Sequence, residues 1–319
     1  MRIHGEAIRF GVHCGPENTG FEDYRDLWVR CEELGYEWVS DFDHFLPIFG
    51  DPAGRQFEGT AMLAAMAAHT SRVRCGMLVL GVTYRHPAVV ANIAATIDHI
   101  SGGRAEFGIG AAWFEKEHRQ YGIPFPRLGV RMDMLDEACR VMRGLWTEER
   151  FSFAGDHFRL EDAQMDPKPL QARLPLMIGG EGEKRTLRIV AEFADEWNAT
   201  RIDVPGFRAK RAVLAAHCAA FSRDPETIGR SLMIPLAIGR DSTDVARRIA
   251  AARASFPSLP PDEAAWRAAG FLAGPAESVI AALAEWKAAG MQRILLQMLD
   301  QEDIAALELF ARTVLPALR

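Results

Sequence analysis

Val73–Leu80 (VRCGMLVL), Val89–Ile100 (VVANIAATIDHI) and Arg104–Ile109 (RAEFGI) decide the fold class of this chain. The first and last are short, almost continuously apolar runs, as expected of strands buried on both faces. The middle run repeats its apolar residues at helical spacing. A strand, a helical crossover and a second strand make a parallel pair, because parallel neighbours need a connection long enough to return to the same edge.

The same rhythm extends in both directions. Upstream, Ile8–Val12 reads as a strand, Tyr24–Leu34 as a helix closed by Gly35, Tyr36–Ser40 as a strand and Ala61–Ala68 as a helix. Downstream come a long amphipathic helix, Arg131–Trp146, and strands at Leu176–Ile178, Asp195–Ala199, Leu232–Ile238 and Arg293–Gln297. Helices separate those strands at Lys184–Phe193, Phe207–Phe221, Val245–Ala254 and Glu277–Ala289, and Ile304–Val314 closes the series. Eight strand–helix units favour a closed (β/α)8 TIM barrel, α/β in class, over an open doubly wound sheet. A chain of 319 residues suits one such domain over 1–319. Two segments break the rhythm: Glu115–Leu128 after strand 4, and Phe151–Pro169 before strand 5. Both are too long for ordinary connections and are expected to be insertions, a lid or a short hairpin.

Composition narrows the function classes. Hydrophobic residues make up 49% and charged residues 25%, enough for a large core and against disorder. The net charge of −6 provides no general field for nucleic acid or an anionic membrane. No run reaches the roughly 20 apolar residues of a membrane helix. The start of the chain is interrupted by Arg2, Glu6 and Arg9, unlike a signal peptide, so a cytoplasmic protein is expected. Cys14, Cys31, Cys75, Cys139 and Cys218 are odd in number and include no CxxC, which points to reduced structural thiols.

Barrels of this kind carry their chemistry at the C-terminal ends of the strands. Read in order, those ends present His13, then Asp41-Phe42-Asp43-His44-Phe45, then Gly81-Val82-Thr83-Tyr84-Arg85-His86, then Gly108-Ile109-Gly110-Ala111-Ala112-Trp113. Gly179-Gly180-Glu181-Gly182 and Trp197-Asn198 follow. The glycine turn before a helix fits either a phosphate cradle, built from free N–H groups and the positive helix end, or a plain tight turn. Asp43-His44 joins an acceptor to a group titrating near neutrality, a pair suited to orienting a ring or moving a proton. Trp113, Trp197 and His13 are the candidates for a substrate pocket. A metal-dependent barrel hydrolase on Asp43, His44 and His86 is the reading from another class. No HxH or HExxH pattern supports it, and Asp41 should alternate to the opposite face of its strand, so no metal is expected.

The segments Ser40–Phe45 (SDFDHF), Gly81–Ala88 (GVTYRHPA), Thr96–Arg104 (TIDHISGGR), Gly108–Phe114 (GIGAAWF), Ile178–Leu187 (IGGEGEKRTL) and Ala194–Asn198 (ADEWN) together resemble the luciferase-like monooxygenase family, above all its coenzyme F420-dependent oxidoreductase branch. The resemblance implies a TIM barrel holding F420, or alternatively FMN, and acting on a small organic substrate. It implies a non-proline cis peptide at Leu78–Val79 behind the cofactor ring, contacts to that ring from Asp43 and His44, and His44 as proton donor or acceptor. Gly179, Gly180, Glu181 and Gly182 would hold the phosphate, and Gly110, Ala111 and Ala112 would line the cofactor. Family members often carry glycine where this chain has Ala112. A basic groove past Gly182 would favour F420, whose tail is anionic, and Lys184, Arg185 and Arg188 are its candidates. The FMN alternative is a monooxygenase using reduced flavin and O2, with a flavin reductase as partner. A homodimer through the helices near Ala61 and Val89 is also implied.

Overall fold

The computed structural model describes residues 7–318, so Arg2 and Glu6 of the charged start lie outside the described residues. The chain runs β1 (Arg9–His13), α1 (Phe21–Glu33), β2 (Trp38–Asp41), α2 (Gly59–His69), β3 (Arg74–Gly81), α3 (Pro87–Ile100) and β4 (Ala105–Gly110). Helices α4 (Glu115–Tyr121) and α5 (Leu128–Thr147) follow, then strands β5 (Phe151–Ala154) and β6 (Arg159–Ala163). The second half is β7 (Leu176–Gly179), α6 (Thr186–Phe193), β8 (Glu196–Thr200), α7 (Val204–Ala220), β9 (Gly229–Gly239), α8 (Ser242–Ser255) and α9 (Glu263–Ala268). It ends with β10 (Leu272–Pro275), α10 (Ala276–Ala288), β11 (Arg293–Gln297), α11 (Ile304–Thr313) and α12 (Leu315–Leu318).

Strands β1, β2, β3, β4, β7, β8, β9 and β11 pair in parallel, and the β9–β8 and β9–β11 ladders close the ring. This is the (β/α)8 barrel that the strand–helix rhythm implies. The segment after β4 is not a loose loop: it folds as α4. The segment before β7 carries the antiparallel hairpin β5–β6. The short elements α9, β10 and α12 have no counterpart in the sequence reading. The far half of the long strand β9 leaves the barrel wall and pairs, through Leu236–Gly239, with β10.

Alternation along each strand sorts the side chains. Trp38, Leu78, Met177 and Leu295 meet inside the barrel, while Val39, Phe107 and Ile294 join the layer between strands and helices. The floor of the barrel is ionic. Buried Arg293 donates to Glu106 Oε2 at 2.6 Å and to Glu196 Oε2 at 2.7 Å, and Arg74 also pairs with Glu106. Its guanidinium lies 5.5 Å from the Trp38 ring centroid. Burial works against the charge on Glu106, but Arg293 and Arg74 outweigh it and hold the carboxyl at about 2. All five cysteines are buried and unpaired, and burial pushes the Cys14 and Cys139 thiols up to about 12. Among the described residues no helix is long and apolar enough to cross a membrane.

Candidate active site

The C-terminal strand ends surround a cavity of about 960 Å³, within the range of cofactor and ligand sites. His13, Asp43, His44, Leu78, Val79, Gly110, Ala111, Ala112, Trp113, Gly179, Gly180 and Glu181 all line it. Gly182 does not, and sits just beyond, at the entry to α6.

One wall is made of backbone. The Leu78–Val79 peptide is cis, at the position the family resemblance implies. Glycines flank it: a Cβ at Gly110 would lie 3.0 Å from Val79 Cγ2, and one at Gly179 would lie 3.5 Å from Val79 Cγ1. The result is a smooth face against which a flat ring system can lie. Gly180 takes a φ of 120°, open to glycine and little else. Its amide donates to Asn198 O and its carbonyl accepts from Trp197 Nε1, which fastens the turn to β8. Glu181 folds the same way and accepts from Thr200 N at 2.6 Å. Helix α6 then begins with no side-chain cap, and although Leu187 N donates to Gly182 O, its positive end faces the turn and suits an anion. A planar cofactor with a phosphate-bearing side chain fits this combination of wall and uncapped turn.

Of the cations proposed for a basic groove, two are already neutralised. Arg185 pairs with Asp133, and Arg188 with Asp136 and Glu192. Among the described residues Lys184 has no acidic partner within salt-bridge distance.

The side chain placed to move a proton is His44, at the end of β2. Its Nδ1 lies 2.7 Å from Glu117 Oε1, and Glu117 is fully buried. Glu117 also accepts from Phe45 N at 2.8 Å and from the Tyr84 hydroxyl. Burial alone would raise the Glu117 carboxyl, but the His44, Tyr84 and Phe45 donors win and keep it below its ordinary value. An ionised Glu117 requires the proton on Nδ1, so Nε2 is left as the basic nitrogen of the ring. Phe42 and Trp113 hold the imidazole edge-to-face, with centroids at 5.3 and 5.5 Å. Glu117 was missed by sequence reasoning because it belongs to the polar segment read as an insertion. Its one signal is its place on the first turn of a short helix directly after a strand end.

Asp43 has a different task from His44. Its carboxylate takes both Arg85 nitrogens, at 2.7 and 2.9 Å, and the Gly81 amide, tying the ends of β2 and β3 together. Burial pushes its carboxyl up, against those donors. His13 hydrogen-bonds Ser40 Oγ at 2.7 Å, and burial, followed by the nearby His44, lowers it to about 3. It is therefore neutral at pH 7.

Two expectations are corrected. Trp197 is not in the pocket: it is fully buried on the outer side of β8, stacked on Phe207 at 5.5 Å, and alternation gives the cavity Asn198 instead. His86 is also elsewhere, capping α3 through Ala88 N. Among the described residues no group of three or more His, Cys, Asp or Glu side chains is placed to hold a metal ion.

Ala112 adopts a φ of 58°, and its carbonyl accepts from Arg131 at 2.7 Å. A left-handed L-residue costs about 1–2 kcal/mol, and glycine recovers most of this at some entropic cost. Ala112→Gly is therefore expected to stabilise the protein by up to about 1 kcal/mol, read as a rise in the urea midpoint. A lower midpoint would show that the Cβ packs usefully.

Comparison with known proteins places this geometry. The model of the luciferase-like monooxygenase family matches residues 7–305. An FMNH2-dependent dimethylsulfone monooxygenase of Pseudomonas putida is 28% identical over 93% of this chain and 88% of its own length. An F420-dependent glucose-6-phosphate dehydrogenase of Amycolatopsis mediterranei is 34% identical over 59% of this chain, and the match spans only 54% of that protein. Among solved structures, an F420-dependent secondary alcohol dehydrogenase in complex with an F420-acetone adduct superposes with a TM-score of 0.84, covering 98% of this chain and 99% of that one at 22% identity. At that identity the likeness speaks for the fold alone.

Proposed function

Since the chain belongs to the luciferase-like monooxygenase family, whose members here are F420-dependent oxidoreductases and FMN-dependent monooxygenases, we propose that it moves a hydride between coenzyme F420 and a small organic alcohol or carbonyl compound. The observation that carries this reading is the His44–Glu117 pair on the cavity wall. Oxidising an alcohol means breaking a C–H bond, whose electron pair leaves with the hydrogen, and an O–H bond, whose proton needs an acceptor. Bound F420 supplies the hydride acceptor and, when reduced, the hydride donor. The chain supplies the rest. His44 Nε2 takes the hydroxyl proton, or returns it to the carbonyl oxygen in reverse, while Glu117 fixes the tautomer and stabilises the charged imidazole. The wall around Leu78–Val79 fixes the ring, Gly179–Gly182 with the start of α6 take the phosphate, and Ala111 and Ala112 flank the side chain.

The second reading, an FMN-dependent monooxygenase using reduced flavin and O2 with a reductase partner, draws support from the dimethylsulfone monooxygenase, the relative matched over most of its length. The two are separated by incubating the protein with oxidised F420 and a panel of alcohols under anaerobic conditions. Bleaching of the deazaflavin absorbance supports hydride transfer. Turnover only with FMNH2 and O2 would replace it.

The same proposal gives Glu117 a positioning role. Glu117→Gln is expected to lower kcat roughly 10²-fold, the scale of a misplaced catalytic group, with KM and cofactor affinity nearly unchanged. A rise in KM with kcat intact would assign Glu117 to binding instead. The protein acts in the cytoplasm as a homodimer through α2 and α3, of which α3 exposes Val89 (52%) and Ile100 (46%). Light scattering at micromolar concentration tests this, and a monomer would refute it.

A further inference from the structure

The charges around the cavity limit what can share it with a cofactor. Among the described residues Arg201 is the only lysine or arginine in its lining. It directly follows Thr200, whose amide is held by Glu181 of the glycine turn, so this cation stands at the end of the cavity assigned to the cofactor phosphate. Arg85, near the ring end, is taken by Asp43 and Glu58. His13, held neutral, offers no positive charge. An anionic substrate group would enter without a counter-charge, and a charge that loses water without gaining a partner is disfavoured.

A second cavity, of about 970 Å³, adjoins the first and shares His13, Phe49, Phe256 and Gln297 with it. Its lining brings in Asp23, Asp26, Asp300 and Glu302, while Arg30, its one lysine or arginine among the described residues, is tied to Glu33 and Glu308. The field on this side repels anions. The surface facing the cofactor cavity from the α8–β10 connection carries no charged side chain among the described residues and is mostly apolar, Ser255 and Ser258 being its polar members. Phe256 packs edge-to-face on Phe49 with centroids at 5.1 Å, and Pro257, Leu259, Pro260 and Phe271 continue the wall.

We propose that the substrate of this site is an uncharged molecule with an apolar body, seated against the Phe49–Phe256 wall with its single polar group toward His44, and that phosphorylated substrates are excluded. This rests on the hydride-transfer reading of the site. It is tested by calorimetric titration of the F420-loaded protein with 1-phenylethanol, acetophenone and glucose 6-phosphate, repeated on cofactor-free protein. The apolar alcohol and ketone are expected to bind the loaded protein at least 100-fold tighter than the sugar phosphate. Phe256→Ala is expected to weaken them 10-fold or more, with the Kd for F420 unchanged. Sugar phosphate binding as tight as that of the apolar pair, or apolar binding indifferent to Phe256→Ala, would overturn the proposal. Failure of F420 to bind strikes at the hydride-transfer reading, and the cofactor-free titrations then decide the substrate class separately.

Discussion

Replacing His44 with alanine is expected to lower kcat by about 10²- to 10⁴-fold, the range that a positioned proton donor or acceptor contributes. Cofactor affinity should change only a few-fold, because the backbone wall and the glycine turn are untouched. His44 makes one polar contact, to Glu117, and otherwise rests on aromatic edges, so its removal leaves a buried carboxylate still satisfied by Phe45 N and Tyr84. Stability should therefore fall less than activity. Steady-state kinetics beside a cofactor titration separate these effects. Undiminished turnover with normal F420 binding would remove His44 from the chemistry and leave the proton without a named acceptor.

Arg293→Met should have the largest effect on stability, a loss of about 3–5 kcal/mol, as when one partner of a buried ion network is deleted. Glu106 and Glu196 would both be left buried without the guanidinium that lies between them. For a domain of 319 residues the loss corresponds to a fall in Tm of roughly 4–7 °C. Adding Glu196→Gln to the variant should restore part of it, since Glu106 keeps Arg74 as a partner whereas the salt bridge of Glu196 was to Arg293. A Tm within a degree or two of wild type would mean that the network is solvated. The pH dependence follows from Glu106, whose pKa is depressed to about 2 from 4.5. Its stabilising contribution is complete above its unfolded pKa near 4.5 and is lost as pH falls through about 2. Acid unfolding followed by circular dichroism should show that window narrowed in Arg293→Met.

The fold was legible because its eight barrel strands are largely buried and most read as apolar runs, β8 (EWNAT) being the polar exception, and each was found within three residues of the observed ends. Strand β10 was not, since Leu272–Pro275 is four residues long, contains Gly274 and Pro275, and pairs only with the projecting end of β9. Most of the site residues were legible as strand ends, a consequence of barrel architecture. Trp197 shows where that rule stops: being near a strand end does not say which face a side chain takes, and the neighbouring Asn198 faces the cavity. Strand alternation, which puts adjacent residues on opposite faces, separates Trp197 from Asn198. Glu117 lay beyond sequence reasoning because its meaning depends on a long-range contact to His44, 73 residues away. The apolar wall from Phe256 to Phe271 carries no motif at all.

The most direct measurement is a parallel calorimetric titration of the cofactor-free protein with oxidised F420 and with FMN. Saturable one-to-one binding of F420, at least tenfold tighter than that of FMN, is expected. Tighter binding of FMN would move the chemistry to oxygen activation, and binding of neither would contradict the assignment of the cavity.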